Sequence, residues 1–151
     1  MGNRAADQRF RDKIENVFGT NCDLIKLTSI ISEAKKQPHG TTIIITDKAE
    51  DECDRLRSHN RAIQIYPVIA ERETMRSITA IDGAVIIDPY GKCYALGAIL
   101  DGESGKHGDM ARGARYNSAI TYVDYWQKKR GDKIIAIIVS ADESLDVYPE
   151  M

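Results

Sequence analysis

The sequence predicts an α/β domain, a mixed and partly antiparallel central β-sheet flanked by helices. Three observations carry this. Short β-branched runs such as TTIIITD (41–47) and KIIAIIV (133–139) read as strands buried on both faces. Segments with apolar residues at helical spacing alternate with these runs. The stretch DGAVIIDPYGKCYALGAIL (82–100) holds two apolar strands around an Asp88-Pro89-Tyr90-Gly91 turn, so one strand pair at least is an antiparallel hairpin.

Taken in order, residues 7–18 place Phe10, Ile14, Val17 and Phe18 on one helical face, and Gly19 stops the run. A second helix is expected from Asp23 to Lys36, with Leu24, Leu27, Ile30, Ile31 and Ala34 inward and Pro38 and Gly40 closing it. These form a helical N-terminal part, 7–36, ahead of a sheet core, 40–148. After the first strand, KAEDECDRLRSHN reads as a polar helix whose Ala49, Cys53 and Leu56 supply a thin apolar stripe. A short strand is expected from Ile63 to Tyr66, ending before Pro67. ERETMRSIT (71–79) reads as a helix leading into the hairpin. A Gly- and charge-rich segment, 101–113, precedes a helix to about Lys129 that carries Ile120, Val123 and Trp126. Gly131-Asp132 turns the chain into the last buried strand, and SLDVYP (144–149) adds one more short strand.

A chain of 151 residues fits one domain with a real core, and 42% hydrophobic with 29% charged residues describes a soluble globular chain. The formal charge of −2 argues against a general nucleic-acid surface. Cys22, Cys53 and Cys93 form no CxxC pair, which suits free or buried thiols in a reducing compartment. His39, His59 and His107 lie far apart in polar contexts and read as solvated side chains. The opening MGNRAADQRF is polar, unlike a signal peptide, and Ala6 stands where a myristoylation signal carries a hydroxyl residue. No apolar run approaches the ~18 residues needed to span a membrane. A cytoplasmic location is therefore expected, and a longer parent chain containing this domain is compatible with the sequence.

Asp82-Gly83-Ala84 opens a very apolar strand and admits two readings. One is turn chemistry, with Asp82 capping and Gly83 in a conformation other residues avoid. The other is a carboxylate aimed at a metal from a strand end, beside a glycine that lets a ligand approach the backbone. GDMARGARYNSAITYV (108–123) raises a similar choice. Arg112 and Arg115 can be solvated side chains at a capped helix start. Alternatively, helix N–H groups and the Arg115 fork hold phosphate oxygens. The long connection before this helix favours a phosphate site. Neither a Walker loop nor a GxGxxG fingerprint is present. VSADES ends the last long strand with hydroxyl and carboxylate groups, while Tyr122, Tyr125 and Trp126 read as helix packing.

In combination these motifs resemble the diadenylate cyclase domain, found in the bacterial DNA-integrity-scanning protein and in membrane-bound relatives. The resemblance rests on DGAVII, a hairpin ending in an aliphatic pair, a G-x-R-x-x-x-A helix start and a strand ending VS-x-acid, and it covers roughly residues 20–148. It implies condensation of two ATP into cyclic di-AMP and two pyrophosphates across two facing domains, hence self-association. It implies that Asp82 and Arg115 carry the chemistry, with Asp82 and Asp142 holding Mg²⁺ or Mn²⁺. Gly83, Ala84, Ile99, Leu100, Arg112, Gly113, Ala114, Arg115, Tyr116, Asn117, Ser118 and Ser140 would line the ATP site. Gly83 would let the nucleotide lie close, and the Leu100 backbone would read the adenine edge.

This chain departs from the family's phosphate motif, Gly-Thr-Arg-His-Arg-Ala-Ala. Arg115 keeps the first arginine, while Ala114, Tyr116 and Asn117 replace the threonine, histidine and second arginine. One fixed positive charge is lost, and Arg112 or Lys106 stands near enough in sequence to substitute. Ile99 stands where the membrane-bound relatives carry an aromatic that stacks on the base. Two other functions follow from these departures: a catalytically weak nucleotide-binding sensor of the same fold, or a cyclase making another cyclic dinucleotide.

Overall fold

Apolar side chains at two periods, one helical and one extended, organise the chain into three layers. The computed structural model describes residues 4–69, 76–77, 83–100, 113–140 and 144–149. Among them the helices are α1 (Arg4–Phe18), α2 (Leu24–Ala34), α3 (Ala49–Ser58) and α4 (Gly113–Arg130). The strands are β1 (Thr41–Thr46), β2 (Ile63–Ile69), β3 (Ala84–Ile87), β4 (Lys92–Ala98), β5 (Ile134–Val139) and β6 (Leu145–Tyr148). They form one mixed sheet in the order β2-β4-β3-β1-β5-β6, in which only β1 and β3 pair parallel.

The central strands β1, β3 and β5 are buried at every residue, as their unbroken aliphatic runs require. Alternate side chains point to opposite faces. On one face Ile43, Ile45, Val85, Ile87, Ile135 and Ile137 meet Phe10, Ile14 and Phe18 of α1 and Leu27, Ile30 and Ile31 of α2. On the other, Ile44, Ile86, Ala136 and Ile138 meet Ala49, Cys53 and Leu56 of α3 and Ala119, Tyr122 and Val123 of α4. Each fully buried Ile or Leu side chain contributes ~1.5–3 kcal/mol. Asp23 caps α2, its side chain accepting from the Lys26 backbone N–H at 3.0 Å.

The hairpin turns where expected, with the Gly91 N–H donating to the Asp88 carbonyl at 3.0 Å. All three cysteines are free thiols, and burial pushes the Cys93 thiol up to about 12. His39 and His59 are exposed, as read from the sequence, while His107 lies outside the described residues. Of the helix expected over 71–79, only Arg76 and Ser77 are described, and both are helical. No helix among the described residues is long and apolar enough to cross a membrane.

One boundary needs correction. β2 does not stop before Pro67 but runs through it to Ile69. Among the described strands it lies at the sheet edge, paired with β4 alone, so one side of its backbone needs no ladder partner there. Its register also shifts between Gln64 and Val68. An edge position and an irregular ladder are where a residue without an N–H is tolerated.

Candidate functional site

Strand direction gathers the site. β1 and β3 start at the same end of the sheet, where the antiparallel β4 and β5 finish, as the pairings Thr42 with Ala84, Thr41 with Val139 and Ala84 with Ala98 show. β6 leaves from this end, with the Ser140 N–H donating to the Ser144 carbonyl at 2.9 Å. The start of α4 lies over this end too, since the Arg115 guanidinium reaches Gly40, the residue just before β1. Gly83, Ala84, Ile99, Leu100, Gly113 to Ser118 and Ser140 are thereby brought to one end of one sheet. Asp82, Arg112 and Asp142 lie outside the described residues, as does Lys106.

β4 carries a bulge here: three residues of β3, Ala84 to Ile86, lie opposite four of β4, Ala98 to Ala95. Gly97 sits in this bulge with φ 60°, and its backbone presses on Gly83. A Cβ on Gly83 would lie 2.7 Å from the Gly97 carbonyl carbon, and Gly83 itself has φ 100°. The expectation at Gly83 was close approach by a nucleotide; the close approach the structure displays is by β4. Beyond the bulge the Ile99 N–H donates to the Arg61 carbonyl at 2.7 Å, fixing the chain that presents Leu100. Ile99 is 59% exposed, whereas Leu100 packs partly on the α3–α4 side of the sheet.

The start of α4 supplies the charge. Its 18 residues align their peptide dipoles, so its first turn carries roughly half a positive charge. Arg115, exposed as a residue, lays its guanidinium on Gly40 beside the last carbonyl of β5. The Nη1 lies 2.6 Å, and the Val139 oxygen 2.7 Å, from where a Gly40 Cβ would stand. Ser140 directly follows Val139, whose carbonyl borders the same space at Gly40. Tyr116 is half-buried and packs on the same cluster as Leu100, and Asn117 is half-buried while Ser118 is exposed.

A polar cluster fastens α4 to α3. Glu52 is fully buried and accepts from Arg55 Nε and Nη2, both at 2.9 Å, from Arg130 Nη1 at 3.0 Å, and from the Tyr122 hydroxyl. Burial works against the Glu52 charge, but its bonds to Arg55, Arg130 and Tyr122 prevail and hold the carboxyl below the usual glutamate value. Burial and the Glu52 carboxylate push the Tyr122 hydroxyl upward, so it stays protonated and donates. The Arg55 and Arg130 guanidinium groups both lie over the Trp126 ring, 4.2 and 3.9 Å from its centroid. Tyr122 is therefore helix packing, as read from the sequence, with a polar anchor added.

Three residues escaped the sequence reading. Glu52 lies beside the apolar stripe of α3, and its i,i+3 spacing to Arg55 was the local hint. Gly40 was taken only as a helix terminator. Thr42 was one letter in a buried strand, yet its side chain is almost wholly buried and its hydroxyl finds no hydrogen-bond partner among the described residues.

The domain family described as DisA bacterial checkpoint controller nucleotide-binding (DAC) matches residues 29–148. The chain belongs to that family. Its fold is similar to that of a double mutant of DacA from Staphylococcus aureus, with a TM-score of 0.56 and 14% identity over 95% of this chain and 83% of that one. It is also similar to a hypothetical membrane spanning protein from Bacillus cereus, with a TM-score of 0.54 and 18% identity over 80% of this chain and 56% of the other. No curated protein matches.

Proposed function

We propose that the domain is a divergent diadenylate cyclase, which condenses two ATP into cyclic di-AMP and two pyrophosphates across two facing copies. The observation that carries this reading is the Arg115 guanidinium seated at the start of α4 beside the end of β5, within a chain of the DAC family. A triphosphate needs positive groups placed in advance, because negative charge moves onto the departing pyrophosphate. The α4 first turn offers N–H groups and a dipole, and Arg115 offers a planar fork. Ser140 adds a hydroxyl at the adjoining strand end, and the backbone at Ile99 and Leu100 faces the base.

Mg²⁺ or Mn²⁺ fits the donor set. Asp82 directly precedes Gly83 and Asp142 follows Ser140 by two residues in the sequence, and two carboxylates are the hard oxygen donors such an ion takes. When bound there, the ion would lower the cost of deprotonating the 3′-hydroxyl. Two opposed copies turn a difficult encounter into a positioned one.

A sensor that binds nucleotide without useful turnover is the second reading. It is favoured by Tyr116, which packs on the core where the family carries a histidine, and by Asn117 in place of the second arginine.

The experiment is ATP titration calorimetry on Arg115→Ala and Asn117→Arg. A charge-assisted hydrogen bond is worth roughly 1.5–3 kcal/mol, so Arg115→Ala should weaken ATP ten- to a hundredfold. Asn117→Arg should tighten it. Unchanged affinity in Arg115→Ala would leave only a capped surface helix.

A further inference from the structure

We propose that Gly40 is the positioning residue for Arg115, its missing side chain being the seat in which the guanidinium lies; this rests on the reading of the α4 start as a triphosphate cradle. Backbone conformation does not demand glycine here, because Gly40 is not among the residues with positive φ. Space does. A Cβ at Gly40 would stand 2.6 Å from Arg115 Nη1, 3.3 Å from its Cζ and 2.7 Å from the Val139 carbonyl oxygen. Contacts under 3 Å are not sustained, so something must move. The Val139 carbonyl is backbone, and the Thr41–Val139 pairing is the end of the six-residue β1–β5 ladder. Both contacts must be relieved: Arg115, the far end of a flexible side chain on an exposed helix start, swings aside, while the Val139 carbonyl shifts at the end of the ladder whether or not Arg115 is present.

The consequence is directional. Arg115 reaches Gly40 from α4, while Gly40 leads into β1, the strand between β3 and β5, the latter ending just before Ser140. A guanidinium resting on Gly40 is held at the centre of the gathered strand ends. Displaced by a methyl group, it keeps its charge but loses its aim, and a displacement of about 1 Å in a positioned group costs up to a hundredfold. Gly40 thus acts on phosphate through Arg115 and touches no substrate itself.

A double-mutant cycle tests this, with Gly40→Ala, Arg115→Ala and the double variant titrated with ATP and with adenosine. Gly40→Ala should weaken ATP about tenfold and leave adenosine unchanged, since adenosine has no phosphate to aim at. In the Arg115→Ala background the same change should cost less than about twofold, because there is nothing left to position. An equal loss in both backgrounds, or no loss in either, would overturn the role of Gly40 while leaving the cradle intact. Unchanged ATP affinity in Arg115→Ala alone would instead overturn the cradle. If Gly40→Ala alone does not fold, the seat is read from Arg115→Ala and the double variant with added ethylguanidinium. Ethylguanidinium should then restore ATP affinity to Arg115→Ala more than to the double variant, whose methyl group fills the seat, and equal or absent recovery in the two would overturn the seat.

Discussion

Replacing Glu52 by Gln isolates the cluster that anchors α4, and therefore the element that carries Arg115. Glutamine keeps the size of the side chain but removes its charge and turns one acceptor into a donor that faces guanidinium groups. The carboxylate accepts three bonds from Arg55 and Arg130 and one from Tyr122. Hydrogen bonds to charged groups contribute about 1.5–3 kcal/mol each. Most of that is offset for the arginines, whose side chains are 21% and 32% exposed and regain water. The Tyr122 hydroxyl is fully buried and regains none. A net loss of ~3 kcal/mol follows, or roughly 6–12 °C in Tm for a chain of this size. Thermal unfolding at neutral pH measures it, and a pH series gives the sign. The folded carboxyl is held below its unfolded value, so its stabilisation is present above about pH 4.3 and is lost as pH falls through the folded value. The gap between wild type and Glu52→Gln should be constant from neutral pH down to about pH 6 and close in acid. A gap under ~0.5 kcal/mol at neutral pH, or one unchanged in strong acid, would refute the reasoning.

Two further substitutions probe the sheet end. Asp82→Asn should abolish cyclic dinucleotide formation with Tm unchanged, since an amide is a poor Mg²⁺ ligand and no base; turnover at the wild-type rate would remove Asp82 from the chemistry. Thr42→Val should raise the Tm of the nucleotide-free protein by ~2–4 °C, because a buried hydroxyl without a partner costs about 1 kcal/mol or more. A lowered Tm would mean that the hydroxyl is satisfied after all.

What the sequence disclosed follows from the range of the forces involved. β1, β5 and the hairpin were legible because their aliphatic runs and the turn residues are local signals. The extension of β2 through Pro67 was not, because tolerance of proline depends on an edge position that only the assembled sheet defines. Glu52 meets Tyr122 and Arg130 from a distant part of the chain, so no window of sequence holds the pair. The same holds for Gly40 and Arg115. At Gly83 the turn reading, a conformation other residues avoid, is met by its φ of 100°, whereas the close approach of β4 at Gly97 depends on a bulge that only the assembled sheet defines. The strand order explains why residues as far apart as Gly83, Arg115 and Ser140 lie at one end of the sheet.

The most direct test is incubation of the purified domain with ATP and Mn²⁺, then with GTP, across a protein dilution series, with the nucleotides separated by chromatography. The account predicts cyclic di-AMP and pyrophosphate from ATP, with specific activity rising through the concentration range in which the domain associates. ATP bound but unconverted at every concentration, or a cyclic product from GTP alone, would contradict it.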